Sequence, residues 1–296
     1  MRVLVTGSAG QLGYQTLKTL SKSVDLVPTS KKGGVLGEFS AIEMSVTEYE
    51  KVDLIIREKK PDVIVNCAAF TNVDACEENP KMAKSVNSDS VANLAKSCRH
   101  QGVKLIQISS DYVFDGESPP FSEESARNPI QEYGKSKSTA EEIIQSESGL
   151  DWAIVRASGI FSISHNNFLT WLLKSSLGNE EVFVVKDQLS TPISALSVSR
   201  FISKIIGEDL HGVWHIGSKD TVSRLDFARK VCEKFDVSDE KISESLMSSI
   251  PWKAKRPVNT ALDTSKTSEV FFNQNVGQMI EELASEYSEE SLAFQP

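Results

Sequence analysis

The sequence predicts an α/β protein with a doubly wound parallel sheet, followed by a smaller and more irregular C-terminal lobe. Short apolar runs alternate with helical segments over roughly the first 160 residues, and a glycine-rich turn directly follows the first run. Beyond that point the alternation loosens. Strands that alternate with helices predict a parallel sheet covered on both faces. We therefore expect one domain over 1–160, with further core strands from parts of 161–225, and a mixed α/β lobe over 161–296.

The first elements follow from periodicity and from the residues that end them. Residues 2–7 form a β-branched run that ends in glycine, and 11–21 have the apolar spacing of a helix. Residues 24–29 are a second strand candidate, which Pro28 should restrict to a sheet edge or a strand terminus. A helix is expected over 46–60, because its apolar spacing stops immediately before a proline.

Three further core strands follow, of which the first is an apolar run typical of a strand buried on both faces. They are expected over 62–69, 103–110 and 151–158, with a helix from about Pro80 to His100. The looser C-terminal region has helices expected near 166–177, 195–206 and 223–235, short strands at 181–185 and 213–216, and an acidic helical tail after 281.

Composition excludes several classes of function. Of the 296 residues, 40% are hydrophobic and 25% are charged, which is ordinary for a soluble globular protein. The net charge of -9 argues against nucleic-acid binding, and no apolar run approaches the ~20 residues of a membrane span. The N-terminus reads as a strand and not as a signal peptide. Four scattered cysteines and four histidines without ligand spacing predict a cytoplasmic protein with reduced thiols and no protein-built metal site.

The glycine-rich turn predicts a dinucleotide site. Gly7, Gly10 and Gly13 are spaced GxxGxxG where the first strand ends and a helix begins, which is the context of a Rossmann fingerprint. Glycines there allow a tight turn, close approach of backbone N–H groups to a pyrophosphate, and close packing of the helix on the sheet. The helix N-terminus offers further donors to phosphate oxygens.

The end of the second strand indicates which dinucleotide is bound. An NAD site usually places a carboxylate ~20 residues after the glycines, on the ribose 2′-hydroxyl. This chain instead has Ser30, Lys31 and Lys32, which suit a 2′-phosphate. We expect NADPH as the cofactor, with NADH as the alternative. If neither Lys31 nor Lys32 contacts a 2′-phosphate, the two lysines belong to an ordinary solvated loop.

The strand at 103–110 brings Ser109, Ser110 and Asp111 to its carboxyl end, where ligands bind in open parallel sheets. A hydroxyl there can cap the next segment. The more specific hypothesis is that Ser110 donates a hydrogen bond to a substrate oxygen.

Tyr133 and Lys137 are four residues apart on a predicted helix and therefore face the same way. An exposed surface pair is one interpretation. The other is proton transfer: a tyrosine with its usual pKa of ~10 is a poor donor, and a nearby ammonium lowers that pKa. With Ser110 and a nicotinamide, the pair would form a carbonyl-reducing site.

These motifs together resemble the extended short-chain dehydrogenase/reductase family. The intervening segments resemble its dTDP-4-dehydrorhamnose reductases in order and spacing over nearly the whole chain. The segments that carry this resemblance are PDVIVNCAAFTNVDACEENP (61–80), VNSDSVANLA (86–95), SSDYVFDG (109–116), PIQEYGKSK (129–137), NNFLTWLL (166–173), KDQLSTPIS (186–194) and KRPVNTALDTSK (255–266).

The resemblance implies NADPH-dependent reduction of the 4-keto group of a 6-deoxy sugar on a nucleotide diphosphate. It implies a catalytic triad of Ser110, Tyr133 and Lys137, with Lys137 also holding the nicotinamide ribose. Residues implied to line the cofactor are Gly7, Gly10, Gln11, Leu12, Ala68, Ala69 and Thr71, and Gly13, Ser30, Lys31 and Ser109 complete the expected cofactor site. Residues implied near the sugar nucleotide are Asp111, Asn167 and Arg256; a surface salt bridge is the other interpretation of Arg256.

The sequence departs from the family pattern at Ser45, Gly159, Ser190 and Ile193, mostly on the substrate side, which leaves the sugar and the base open. A homodimer and a nucleotide-sugar ligand are the expected partners. A relative in another class is the NADP-binding regulatory subunit of S-adenosylmethionine synthetase, whose partner is the synthetase. A combined epimerase–reductase would need a further acid/base pair, for which Cys67 and His165 are the candidates.

Overall fold

A computed structural model describes residues 1–178 and 180–287; the last residues of the predicted acidic tail, 288–296, lie outside the described part. The strands are β1 (Arg2–Thr6), β2 (Asp25–Ser30), β3 (Gly34–Leu36), β4 (Phe39–Glu43), β5 (Val63–Asn66), β6 (Lys104–Ser110), β7 (Trp152–Ala157), β8 (Ile160–Phe161), β9 (Val182–Val185), β10 (Leu189–Ser190), β11 (Ile193–Ser194), β12 (Gly212–Ile216), β13 (Val222–Ser223) and β14 (Ile242–Ser245). The helices are α1 (Gln11–Leu20), α2 (Tyr49–Lys59), α3 (Val73–Glu78), α4 (Pro80–Lys84), α5 (Ser90–Gln101), α6 (Glu132–Ser146), α7 (Phe168–Leu177), α8 (Ala195–Gly207), α9 (Arg224–Phe235), α10 (Ser265–Ser268) and α11 (Val276–Ser285).

An eight-stranded sheet organises the molecule, with strand order β12-β7-β6-β5-β1-β2-β4-β3. Every pair in it is parallel except the β3–β4 hairpin. The order reverses direction next to β1, so the carboxyl ends of β1 and β5 lie at a topological switch point. Ligands bind there in open α/β sheets.

Helices cover both faces of this sheet, as predicted. On one face, β1, β5, β6 and β7 pack against α1, α7, α8 and α9 through a large apolar cluster. On the other face, the alternate residues of the same strands pack against α2, α5 and α6. All seven residues of β6 are buried, as expected for a central strand covered on both faces, although Lys104, Gln107 and the two terminal serines are polar. The predicted doubly wound α/β class is confirmed.

Three features differ from the sequence-based expectations or go beyond them. The β3–β4 hairpin was missed, because its glycine-rich sequence has little alternation. The prediction that Pro28 would lie at a sheet edge or a strand terminus was wrong, since Pro28 is the fourth of the six residues of β2 and β4 continues the sheet beyond it. The proline is tolerated because β4 pairs only with Thr29 and Ser30. The short strand expected near 213–216 joins the main sheet as β12.

The chain after β8 forms small two-stranded sheets, β8 with β11, β10 with β13, and β9 with β14. Helices α7, α9 and α11 pack among them. The start of α9 is held by a capping box in which Ser223 and Asp226 bond each other's backbone N–H groups. Among the described residues, no helix is both long enough and apolar enough to cross a membrane.

Candidate active site

A cavity of about 540 Å³ lies at the carboxyl ends of β1, β5 and β6, between the glycine-rich turn and the C-terminal segments. The predicted cofactor residues that line it are Gly10, Gln11, Leu12, Gly13, Ala68, Ala69, Thr71, Ser109, Tyr133 and Lys137. All three proposed catalytic side chains and all three proposed substrate residues line the same cavity. The fold therefore brings together groups that are up to 246 positions apart in the chain, from Gly10 to Arg256.

The glycine-rich turn has the geometry of a dinucleotide cradle. Gly7 does not line the cavity, but it forms the turn at φ +63°, where an added Cβ would lie 2.8 Å from the backbone of Ala68. A Cβ at Gly13 would lie 2.2 Å from the carbonyl oxygen of Gly7, so only glycine lets α1 approach the turn this closely. The turn and helix are thus shaped for close backbone approach of a ligand.

The first turn of α1 supplies unpartnered donors to this cradle. The residue at its N-cap, Gly10, provides no side-chain cap, and no acidic residue lies in the first turn. The buried Nε2 of Gln11 has no hydrogen-bond partner within the described residues. Donors at a helix N-terminus favour an anion such as a pyrophosphate, so these residues fit the predicted nicotinamide dinucleotide.

Ser30 and Lys31 end β2 and begin the following loop, but neither lines the cavity. Ser30 is buried, with its carbonyl oxygen accepting from the N–H groups of Gly33 and Met44. Lys31 is exposed. The structure also brings Glu43 beside Ser30 from β4, an acid that the sequence analysis did not place there; Lys51 forms an ion pair with it at 3.1 Å.

Ser110 and Asp111 form a buried hydrogen-bonded group at the end of β6. The Ser110 hydroxyl donates to Asp111 Oδ1 at 3.0 Å and accepts the Tyr112 N–H at 3.2 Å, which caps the short helical turn that follows. Asp111 Oδ2 accepts from the hydroxyls of Ser158 (2.9 Å) and Thr260 (2.6 Å). Burial raises the pKa of Asp111, and these three hydroxyls oppose the rise. In the protein alone, the Ser110 hydroxyl therefore caps the helical turn that follows β6 and directs its proton at Asp111.

Tyr133 lies in the first turn of α6, close to Ser110. The helix approaches the preceding segment closely because its next residue is glycine: a Cβ at Gly134 would lie 2.0 Å from the Tyr112 carbonyl oxygen. The rings of Tyr112 and Tyr133 meet edge to face at 6.3 Å. Burial raises the pKa of Tyr133, while its hydrogen bond with Ser110 lowers it.

The expectation that Lys137 lowers the pKa of Tyr133 is therefore not met in the protein alone. The Lys137 ammonium is directed elsewhere: Nζ donates to the carbonyl oxygen of Ile108 at 2.6 Å. Burial lowers the pKa of Lys137 to about 8, with Glu141 and Cys67 acting in the opposite direction. Lys137 is thus a buried lysine that changes charge slightly above neutral pH.

A buried ion-pair network beneath the cavity was missed by the sequence analysis. Arg156 on β7 donates to Glu141 Oε2 at 2.7 Å and to Oε1 at 3.1 Å, and Ser109 donates to the same carboxylate at 2.5 Å. Arg127 contributes a second guanidinium, whose Nη1 lies 3.0 Å from Glu141 Oε2. Because Glu141 lies one helical turn after Lys137, this network fixes the helix that carries the tyrosine and the lysine. Ser109 is therefore engaged below the cavity as well as lining it.

The predicted substrate residues have structural partners of their own. Asn167 caps α7, accepting the N–H groups of Leu169 (3.0 Å) and Thr170 (3.4 Å). Arg256 forms an ion pair with Asp74 Oδ2 at 3.1 Å and lies over the Trp252 ring. The ion pair is not an ordinary surface salt bridge, because the Arg256 side chain is only 10% exposed and lines the cavity; its place near the sugar nucleotide stays a prediction.

Gln188 and Arg224 are among the polar residues that line the cavity and were not singled out from the sequence. Gln188 lies in the family-like run at 186–194. Arg224 begins α9 directly after the capping serine, so the helix-start signal around it could have located it.

Cys67 and His165, the candidate pair for epimerisation, have different surroundings. Cys67 lines the cavity, and burial raises the pKa of its thiol to about 12. His165 has a backbone φ of +67°; its Nε2 lies 3.2 Å from the Ala9 carbonyl oxygen and its Nδ1 3.1 Å from the Ser164 hydroxyl. The imidazole thus contacts the glycine-rich turn, and burial lowers its pKa.

Comparison with known proteins identifies the family. The model of the RmlD substrate binding domain matches residues 1–287. The chain belongs to this family.

Three proteins named dTDP-4-dehydrorhamnose reductase are similar to this chain over almost their whole length. A dTDP-4-dehydrorhamnose reductase of Sinorhizobium fredii is 32% identical, over 92% of each protein. The crystal structure of such a reductase from Clostridium acetobutylicum has 31% identity and a TM-score of 0.87, covering 96% of this chain and 99% of the other. The Bacillus anthracis reductase, solved in complex with NADP, has 28% identity and a TM-score of 0.89. The match covers 97% of this chain and 99% of the other. The resemblance inferred from the motifs is confirmed.

Proposed function

We propose that this protein is an NADPH-dependent nucleotide-sugar reductase, which reduces the 4-keto group of a 6-deoxy sugar attached to a nucleotide diphosphate. The observation that carries the proposal is the single cavity that joins a dinucleotide cradle to Ser110, Tyr133 and Lys137. Relatives named dTDP-4-dehydrorhamnose reductase, one of them solved with NADP, support the reaction class and the cofactor.

NADPH supplies the hydride when bound. In our proposal, Tyr133 delivers the proton to the developing alkoxide. Burial raises the pKa of Tyr133, so the phenol keeps its proton at neutral pH and gives it up only to the developing alkoxide, which is a stronger base. Ser110 bonds the same oxygen once its hydroxyl turns from Asp111 towards the substrate.

In our proposal, Lys137 binds the nicotinamide ribose with its ammonium, which in the protein alone donates to the Ile108 carbonyl oxygen. Below pH 8 its ammonium stabilises the tyrosinate that forms when the proton leaves, although it does not lower the pKa of Tyr133 in the protein alone. Asp111 orients Ser110, and Arg256 and Asn167 lie on the sugar-nucleotide side.

The segments around the C-terminal half of the cavity would form the substrate lobe, while the main sheet binds the cofactor. The reductase names of the relatives favour an enzyme over a regulatory subunit of S-adenosylmethionine synthetase. A homodimer and a cytoplasmic location stay predictions. The four free thiols support the cytoplasmic location, because cysteines stay reduced in that compartment.

Isotope transfer tests this function. The protein is incubated with nicotinamide-deuterated NADPH and a series of 4-keto-6-deoxy nucleotide sugars, beginning with dTDP-4-keto-L-rhamnose. We expect deuterium at C4 of the sugar product, located by NMR. Tight NADPH binding without transfer to any keto sugar in the series would contradict the proposal and favour the regulatory alternative.

A further inference from the structure

Arg224 is a cation that lines the cavity without an anionic partner. No carboxylate among the described residues forms an ion pair with its guanidinium, and its backbone N–H alone is engaged, with the Gln188 carbonyl oxygen. The guanidinium lies over the Phe168 ring, 4.8 Å from its centroid. Stacking on an aromatic ring fixes the side chain while leaving its N–H donors free.

The position of this cation in the helix is electrostatically unfavourable for the protein alone. Arg224 is the first residue of the twelve-residue helix α9, and the N-terminus of a helix carries a partial positive charge. A cation stabilises a helix at its C-terminus and destabilises it at its N-terminus. Arg224 and the start of α9 therefore present two positive potentials to the same cavity, an arrangement that an anionic ligand would neutralise.

A second guanidinium lies on the same side of the cavity. Burial raises the pKa of Tyr112, and the charges of Arg224 and Arg256 both oppose that rise, so both guanidiniums lie near its phenol. Asp74 already balances the charge of Arg256. The uncompensated cation of this pair is Arg224.

Gln188 adds an independent sign of a missing ligand. It is 5% exposed and lines the cavity, and its Oε1 has no partner among the described residues. Its Nε2 donates to the Tyr112 hydroxyl at 3.3 Å. A buried amide oxygen without a donor is costly, so a ligand with a hydroxyl or N–H group beside the anion would satisfy it.

Arg224 and the proposed proton donor Tyr133 line the same cavity, with Tyr112 between the two sets of contacts: its ring lies 6.3 Å from the Tyr133 ring, and its phenol is influenced by Arg224. A sugar whose C4 carbonyl faces Tyr133 extends across one pyranose ring to its anomeric oxygen, which bears the diphosphate. A substrate bound in this cavity therefore brings a diphosphate into the same space as the guanidinium of Arg224.

We propose that Arg224, held on Phe168 at the N-terminus of α9, binds the diphosphate of the nucleotide-sugar substrate, with Gln188 accepting a hydrogen bond from the same ligand. This inference rests on the proposed function and names the group of the substrate that the protein recognises by charge. Arg224 is a binding residue in this account and takes no part in the proton transfer.

Calorimetric titration with dTDP, UDP and GDP, and with thymidine as the uncharged probe, tests the inference on the NADP-saturated full chain. The variants are Arg224→Met and Arg224→Lys, with Arg229→Met as the matched control. Arg229 lies on the same helix but faces the surface, where it forms an ion pair with Glu244. Charge-assisted hydrogen bonds of this kind are worth roughly 10- to 100-fold in affinity.

We expect Arg224→Met to weaken binding of the diphosphate nucleotide by about 10- to 100-fold, with Arg224→Lys intermediate. NADP affinity, thymidine binding and the thermal unfolding midpoint should be unchanged, and Arg229→Met should match wild type. Unchanged diphosphate affinity in Arg224→Met, with wild type still reducing keto sugars, would overturn this inference and leave the function standing. Arg224-dependent binding without turnover would overturn the reduction and leave the subsite standing. A wild-type protein that binds none of the three diphosphates would overturn the subsite.

Discussion

Raising the pH should stabilise the fold and inactivate the enzyme over the same range, because both effects depend on Lys137. Burial lowers the pKa of Lys137 to about 8, whereas an unfolded lysine titrates near 10.4. Between these values the folded protein binds fewer protons than the unfolded chain, so the free energy of unfolding rises with pH. Below pH 8 both states are protonated and the contribution is constant.

The magnitude follows from the size of the pKa difference. Each pH unit in that window adds about 1.4 kcal/mol, which gives about 2 kcal/mol between pH 7 and pH 9.5. Other lysines and tyrosines titrate there too, so the quantity to measure is the difference between wild type and Lys137→Met. Urea unfolding of the cofactor-free proteins at pH 7, 8 and 9.5 gives this difference.

We expect wild type to gain about 2 kcal/mol relative to Lys137→Met by pH 9.5. Over the same range, kcat with saturating NADPH should fall as the ammonium loses its proton. Parallel stability–pH curves for the two proteins would refute the assignment of a buried, easily deprotonated Lys137. A kcat that stays level to pH 10 would refute its role as a cation.

Three further predictions test the cradle, the cofactor preference and the ion-pair network. Gly13→Ala places a Cβ 2.2 Å from a backbone carbonyl oxygen, so NADPH affinity in a fluorescence titration should fall at least about 10-fold. The control Gly207→Ala, whose Cβ would have nothing within 4 Å, should bind NADPH as wild type does. Equal NADPH affinities of Gly13→Ala and wild type would contradict the cradle. Lys31→Glu should shift the NADPH-to-NADH preference about 10-fold towards NADH by removing a contact to the 2′-phosphate; an unchanged ratio of kcat/KM values would show that the loop is only solvated. Arg156→Met removes one partner of the buried Glu141 and should cost about 3–5 kcal/mol in urea unfolding, and a loss below 1 kcal/mol would contradict the importance of this pair.

The sequence was most informative where local patterns and tertiary position coincide. Continuous apolar runs predicted the core strands, and the glycines predicted the turn at the carboxyl end of β1. The cradle, Ser110 and the tyrosine–lysine pair could be brought to one edge because parallel strands share the direction of their ends.

What the sequence did not predict depends on contacts between distant segments. Glu141 and Arg156 look like ordinary surface charges in their own helix and strand, and only the packing of α6 on β7 buries them as a pair. The direction of the Tyr133 pKa shift was missed for the same reason, since burial outweighs the nearby hydroxyl and Lys137 points to a backbone carbonyl. Arg224 could be placed at a helix start from its sequence, but its free guanidinium is visible only in the cavity.

The most direct test of the central claim compares the rates of NADPH oxidation by wild type and Tyr133→Phe with dTDP-4-keto-L-rhamnose. Tyr49→Phe, a tyrosine substitution on α2 away from the cavity, serves as the control. Loss of a positioned proton donor should lower kcat about 10²- to 10⁴-fold, while NADPH binding and the control variant stay at wild-type values. A Tyr133→Phe protein that reduces the sugar at the wild-type rate would contradict the proposed active site.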